Sequence, residues 1–115
     1  MKITLDREKS DKYHYRHIAE DGMFNGTIRS YNTGDKVLVR EWNPNEIYKL
    51  SNLDQLVFII KSKGKEFTRQ ITNFDEFSDM ITCEALNSNY GPFNLFLEDI
   101  SELYIIVKLI DKKHK

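Results

Sequence analysis

Short apolar stretches broken by turn residues recur along this chain. Asn32-Thr33-Gly34-Asp35 reads as a turn, preceded by a strand over Met23–Tyr31 and followed by a returning strand over Lys36–Trp42. Gln55–Lys61 and Glu66–Ile71 flank Ser62-Lys63-Gly64-Lys65, a second hairpin in which Val57, Phe58, Ile59 and Ile60 are buried on both faces. Phe93–Leu97 and Leu103–Ile110 are two more strands, the last apolar enough to be central in a sheet. Ile3 and Leu5 alternate with polar neighbours in a short opening strand.

Helical periodicity is sparser. Asn73 reads as a cap with Glu76 three residues on, and Phe74, Phe77, Ile81 and Ala85 share one helical face. This predicts the main helix over 73–87, packed by Phe74, Phe77 and Ile81, with Asp75, Glu76 and Asp79 on its outer face and Cys83 beside them. Asn43-Pro44-Asn45-Glu46 starts a shorter helical turn, with asparagine as cap and proline in the first position. Residues 10–21 are ambiguous: Tyr15, Ile18 and Ala19 fit helical spacing between Ser10 and Gly22. The expected class is α+β: a small curved antiparallel sheet, one main helix and one or two short ones.

Size and composition narrow this further. A chain of 115 residues, 40% hydrophobic and 30% charged, suits one globular domain over 1–115. Its longest apolar run, Leu56–Ile60, is too short to span a membrane, a charged N-terminus argues against a secretory leader, and a single cysteine, Cys83, points to a reducing, cytoplasmic setting. Phe, Tyr, Met, Ile, Asn and Lys, with A/T-rich codons, supply 49 residues, against 14 from Gly, Ala, Arg and Pro. That bias points to a low-GC bacterium, or to a phage or mobile element living in one.

The charges segregate. From Gln70 to Val107 the chain has seven acids and no Lys, Arg or His, while the segments on either side each carry a net +3. One-signed stretches bear on partners rather than on fold. Asp75 and Glu76 also suit the positive end of a helix, but Glu98, Asp99 and Glu102 have no such explanation.

Catalytic patterns are thin. His14-x-x-His17 has only Asp11 or Glu20 to complete a metal set, and the glycines match no phosphate-binding fingerprint. Cys83, beside acids, reads as an unreactive thiol. The expectation is therefore a non-enzymatic protein without metal or cofactor. Tyr13, Tyr15, Phe24, Tyr31, Trp42 and Tyr48 interleave with Lys12, Arg16, Arg29, Lys36, Arg40 and Lys49, a mixture that suits stacking on bases and contacts to phosphates.

Thr27-Ile28-Arg29 followed by Gly34-Asp35-Lys36-Val37-Leu38-Val39-Arg40-Glu41-Trp42 resembles the ASCH domains of the PUA-like superfamily, over residues 13–62. The resemblance implies a PUA-like β-barrel with an N-terminal helix, and RNA or nucleotide binding in which Arg29, Lys36, Arg40 and Trp42 contact the ligand. Met23, Phe24 and Thr27 stand where the family carries a lysine and an acid, so no hydrolase activity is implied. The charge pattern favours a different role: an inhibitor presenting Asp75, Glu76, Asp79, Glu98, Asp99 and Glu102 to a basic, nucleic-acid-handling protein. Small phage anti-defence proteins, anti-CRISPR proteins among them, and toxin-immunity proteins share this size and style.

Overall fold

The computed structural model describes residues 12–27 and 30–113, whose main element is a seven-stranded antiparallel sheet. The strands are β1 (Tyr13–His17), β2 (Lys36–Glu41), β3 (Phe58–Ser62), β4 (Lys65–Asp75), β5 (Met80–Glu84), β6 (Phe93–Phe96) and β7 (Ile100–Asp111). Their order is β1-β2-β7-β3-β4-β5-β6. β7 lies between β2 and β3, as its apolar run predicts: Leu103, Tyr104, Ile105 and Ile106 are all buried. The β3–β4 hairpin also forms where expected, with Lys63 and Gly64 both at positive φ in its two-residue turn.

The main helix over 73–87 does not form, and the α+β class gives way to a mostly β fold. Residues 73–87 instead begin in β4, turn through Glu76–Asp79 and return along β5. Phe74 pairs with Ile81 across this hairpin, and both contribute to the core. Phe77 sits at the tip, fully exposed, rather than against the sheet. Two local preferences outweigh the i, i+3, i+4 spacing. Ile81, Cys83 and Ala85 alternate with Thr82 and Glu84 in a strand pattern, while Asp75, Ser78 and Asp79 favour a turn over a helix interior. Residues 13–17 are likewise strand, not helix, so the expected N-terminal helix ending at Gly22 is absent. Met23–Tyr31 is not a strand in its described part; its ends meet where Tyr31 N–H donates to the Met23 carbonyl at 2.8 Å. Ile3 and Leu5, like Arg29, lie outside the described residues.

Among the described residues three short 3₁₀ segments, Pro44–Lys49, Leu53–Gln55 and Leu97–Asp99, supply the helical content. The first begins as its sequence predicts: the Asn43 side chain accepts from Asn45 N–H at 2.9 Å, and Pro44 follows. The Glu46 N–H donates to the Asn43 carbonyl at 2.9 Å and closes this first turn. Among the described residues no helix is long and apolar enough to cross a membrane.

Long β4 serves two partners. Lys65–Arg69 pair with β3, Gln70–Asp75 with β5, and a bulge at Thr72 accompanies the change. One core gathers Phe58, Ile60, Leu103 and Ile105 with Ile71, Ile81 and Cys83. A second, on the other face of the central strands, holds Val37, Val39, Ile59, Tyr104 and Ile106. Five neighbouring strands laid flat would put β1 and β4 about 19 Å apart. Yet Arg16 on β1 reaches Glu66 on β4 at 3.1 Å, so this part of the sheet curls around the second core. Among the described residues it does not close into the expected barrel: β1 and β6 each pair on one side only.

Candidate functional site

The six acids expected on one face divide into two groups. Asp75 Oδ1 accepts from Phe77 N–H at 3.0 Å, Asp79 adopts φ +55°, and together they shape the tight turn between β4 and β5. The Asp79 carbonyl accepts from Leu97 N–H at 2.8 Å, which brings the Leu97–Asp99 segment alongside. Asp79 and Glu98 consequently line one open cleft of about 400 Å³, with Asn45, Ser78 and Phe96. Asp75, Glu76, Asp79 and Glu98 have no cation within 4.0 Å among the described residues. Phe77 lies in the same turn, between Glu76 and Asp79 in the chain, at 101% relative exposure.

Asp99 and Glu102 do not join them, because each is engaged elsewhere. Asp99 pairs with Lys63 at 3.8 Å, and its carbonyl accepts the Ser62 hydroxyl. Glu102 accepts from Tyr104 Oη at 2.6 Å and lies 3.8 Å from Lys61. That hydroxyl, with Lys61 and Arg16, holds the Glu102 carboxyl below its usual range despite some desolvation. Burial, then Glu102, pushes the Tyr104 hydroxyl up to about 12.

At the opposite end of the strand order lies a surface of the other sign. Residues paired across strands share a face, so Tyr13, Tyr15 and His17 on β1 sit beside Arg40, Leu38 and Lys36 on β2. Lys108 on β7 pairs with Leu38 and extends the row. Lys36 Nζ lies 4.9 Å from the Tyr15 ring centroid, and the Arg40 guanidinium 5.1 Å from that of Trp42. Lys36, Arg40 and Trp42, named from sequence, thus fall on one side of the β2 segment. Trp42 has much of its ring packed against the first core, and its Nε1–H donates to the Glu46 carbonyl.

Other chemical candidates are spoken for. His14 and His17, three apart on a strand, point to opposite faces, and His14 faces Glu41 at 3.6 Å. No group of three metal-ligating side chains occurs among the described residues. Cys83 is buried in the first core rather than lying on an acidic helix face, and burial pushes its thiol up to about 12. Buried Arg69 is ion-paired with Glu20 and packed 5.0 Å from the Tyr90 ring centroid. A Cβ at Gly22 would stand 1.7 Å from its terminal nitrogen, which explains the glycine there. Sequence reasoning missed two things: the exposed tip at Phe77, and the alignment of Tyr13 and Tyr15, already named among the aromatics, with His17 in one lateral row. Strand periodicity across residues 13–17 was the signal for the second.

No protein-family model, curated protein or solved structure matches this chain.

Proposed function

We propose that this chain is a non-catalytic binding protein that seats its acidic end on a basic, nucleic-acid-handling protein of a bacterial cytoplasm and inhibits it. The observation that carries this reading is Phe77: a phenylalanine fully exposed on a tight turn whose neighbours in the chain, Asp75, Glu76 and Asp79, have no cation within 4.0 Å among the described residues. An aromatic anchor inside a charged rim is the usual anatomy of a binding hot spot, and the carboxylates steer a cationic groove toward it. The proposed surface is Asp75, Glu76, Phe77, Asp79 and Glu98; Asp99 and Glu102, neutralised by lysines, fall outside it. A binder rather than an enzyme is favoured because the one thiol is buried and protonated, and His14 is engaged by an exposed carboxylate. Composition and size support a phage or mobile-element origin, with an anti-defence or immunity role, and neighbouring genes separate those two.

The test combines charge and anchor. A variant carrying Asp75→Lys, Asp79→Lys and Glu98→Lys, and separately Phe77→Ser, should retain the parent melting temperature. Each should lower affinity for the protein captured by the parent at least tenfold, measured with that protein purified. Undiminished affinity in both variants would overturn the docking surface.

A further inference from the structure

The row on β1, β2 and β7 is built for a different ligand from the acidic end. We infer that it binds single-stranded nucleic acid, with bases on Tyr13 and Tyr15 and phosphates on Lys36, Arg40 and Lys108. Strand geometry puts Tyr13 and Tyr15 on one face about 6.8 Å apart, a spacing that offers successive rings to a chain of bases. Tyr15 keeps 64% of its surface exposed although Lys36 Nζ sits 4.9 Å from its ring. One nucleotide can therefore stack on the ring and place its phosphate at the ammonium.

The row opens at one end into a cleft of about 530 Å³ lined by His17, Lys36 and Lys113, with Asp111 the one carboxylate among its described lining residues, beside Lys112. Lys112 is already committed to Asp35, at 2.8 Å, so Lys36 and Lys113 set the sign of the opening. Aromatic rings between cations along a groove are what a single strand requires, whereas a duplex hides the base faces that these rings would meet. Lys108 pairs with no acid among the described residues.

Fluorescence anisotropy with labelled fifteen-nucleotide oligothymidylate and oligouridylate tests this, alongside a fifteen-base-pair duplex and polyphosphate. Both single strands should bind at low salt more tightly than duplex or polyphosphate, and a difference between them would identify DNA or RNA as the source. Tyr15→Ala should weaken single-strand binding about tenfold with little effect on polyphosphate. Lys108→Gln should lower the slope of log affinity against log salt by about 0.7. Equal binding of polyphosphate and single strand, with Tyr15→Ala neutral, would reduce the row to a general cationic surface and overturn the inference. Absence of single-strand binding at low salt by protein of unchanged melting temperature would overturn it as well. The Asp75→Lys, Asp79→Lys, Glu98→Lys variant should still bind the oligonucleotides, so failure of the acidic docking surface reads out separately.

Discussion

Asp35 holds together parts of the chain that are far apart in sequence. Its side chain is fully buried and accepts from Lys112 Nζ at 2.8 Å, from Lys113 N–H at 2.8 Å and from Asn32 N–H at 2.9 Å. Lys112 also donates to the Ser30 carbonyl, so one ammonium ties the turn to the end of β7. Burial by itself would raise the Asp35 carboxyl, but these donors outweigh it and hold it below the usual value. A carboxyl depressed in the folded state contributes stability that is complete above its unfolded value, near 4, and is lost as pH falls through the folded one. Asp35→Asn should therefore cost about 3 kcal/mol at pH 7, where it leaves Lys112 without its anion. The deficit should shrink in urea melts on going from pH 7 to pH 2.5. An equal deficit at both pH values would show that the charge does not stabilise the fold.

The β4–β5 hairpin makes the clearest element-level distinction. Phe77 and Ile81 share a face only if residues 73–87 are helical; in the hairpin, one is at the solvent-exposed tip and the other is fully buried opposite Phe74. Phe77→Asp should thus shift stability by no more than about 0.5 kcal/mol, as an exposed substitution does. Ile81→Asp places an unpaired carboxylate in the first core and should prevent folding, since that cost approaches the whole stability of a small domain. Thermal melts of the two variants decide the matter, and loss of folding on Phe77→Asp would return the segment to a helix. The same hairpin shows why acids clustered in sequence need not cluster in space. Asp75, Glu76 and Asp79 stay together because one turn holds them, while β7 carries Glu102 to Lys61 on β3.

The curl of the sheet gives the molecule its second core and its polar seam. Arg16 bonds Glu66 across the opening and lies 4.5 Å from the Tyr104 ring centroid, so β1 closes over residues from strands with which it does not pair. Both partners are partly shielded, at 26% and 18% side-chain exposure, which lifts the pair above a fully exposed one. A double-mutant cycle with Arg16→Met and Glu66→Gln should return a coupling of about 1 kcal/mol. Coupling near zero would mean that β1 and β4 stay apart and that the sheet is flatter. The acidic tip and the aromatic–basic row lie toward opposite edges of this sheet, which lets one chain carry surfaces of both signs at a net charge of −1.

Local chemistry alone was enough for the parts of this protein whose determinants are neighbours in sequence. The Lys63-Gly64 turn, the Asn43-Pro44 start, the burial of Phe58, Ile59 and Ile60 (Val57, expected with them, is only half-buried), and the central place of β7 follow from turn geometry, capping and continuous apolarity. The charge segregation was equally plain. Elements whose patterns fit two periods could not be resolved in that way. Phe74, Phe77 and Ile81 satisfy a helix, and Phe74 with Ile81 equally satisfies a hairpin. The choice is made by long-range pairing: β4 already joins β3 through Arg69, and extending it buries Ile71 and pairs Phe74 with Ile81. Tyr13–His17 became a strand for the same reason, since all five of its residues find partners on β2. Which acids remain without a cation, and which aromatics end beside lysines, depends on strand order and curl. Those arise from contacts distant in sequence, where side-chain burial outweighs local propensity.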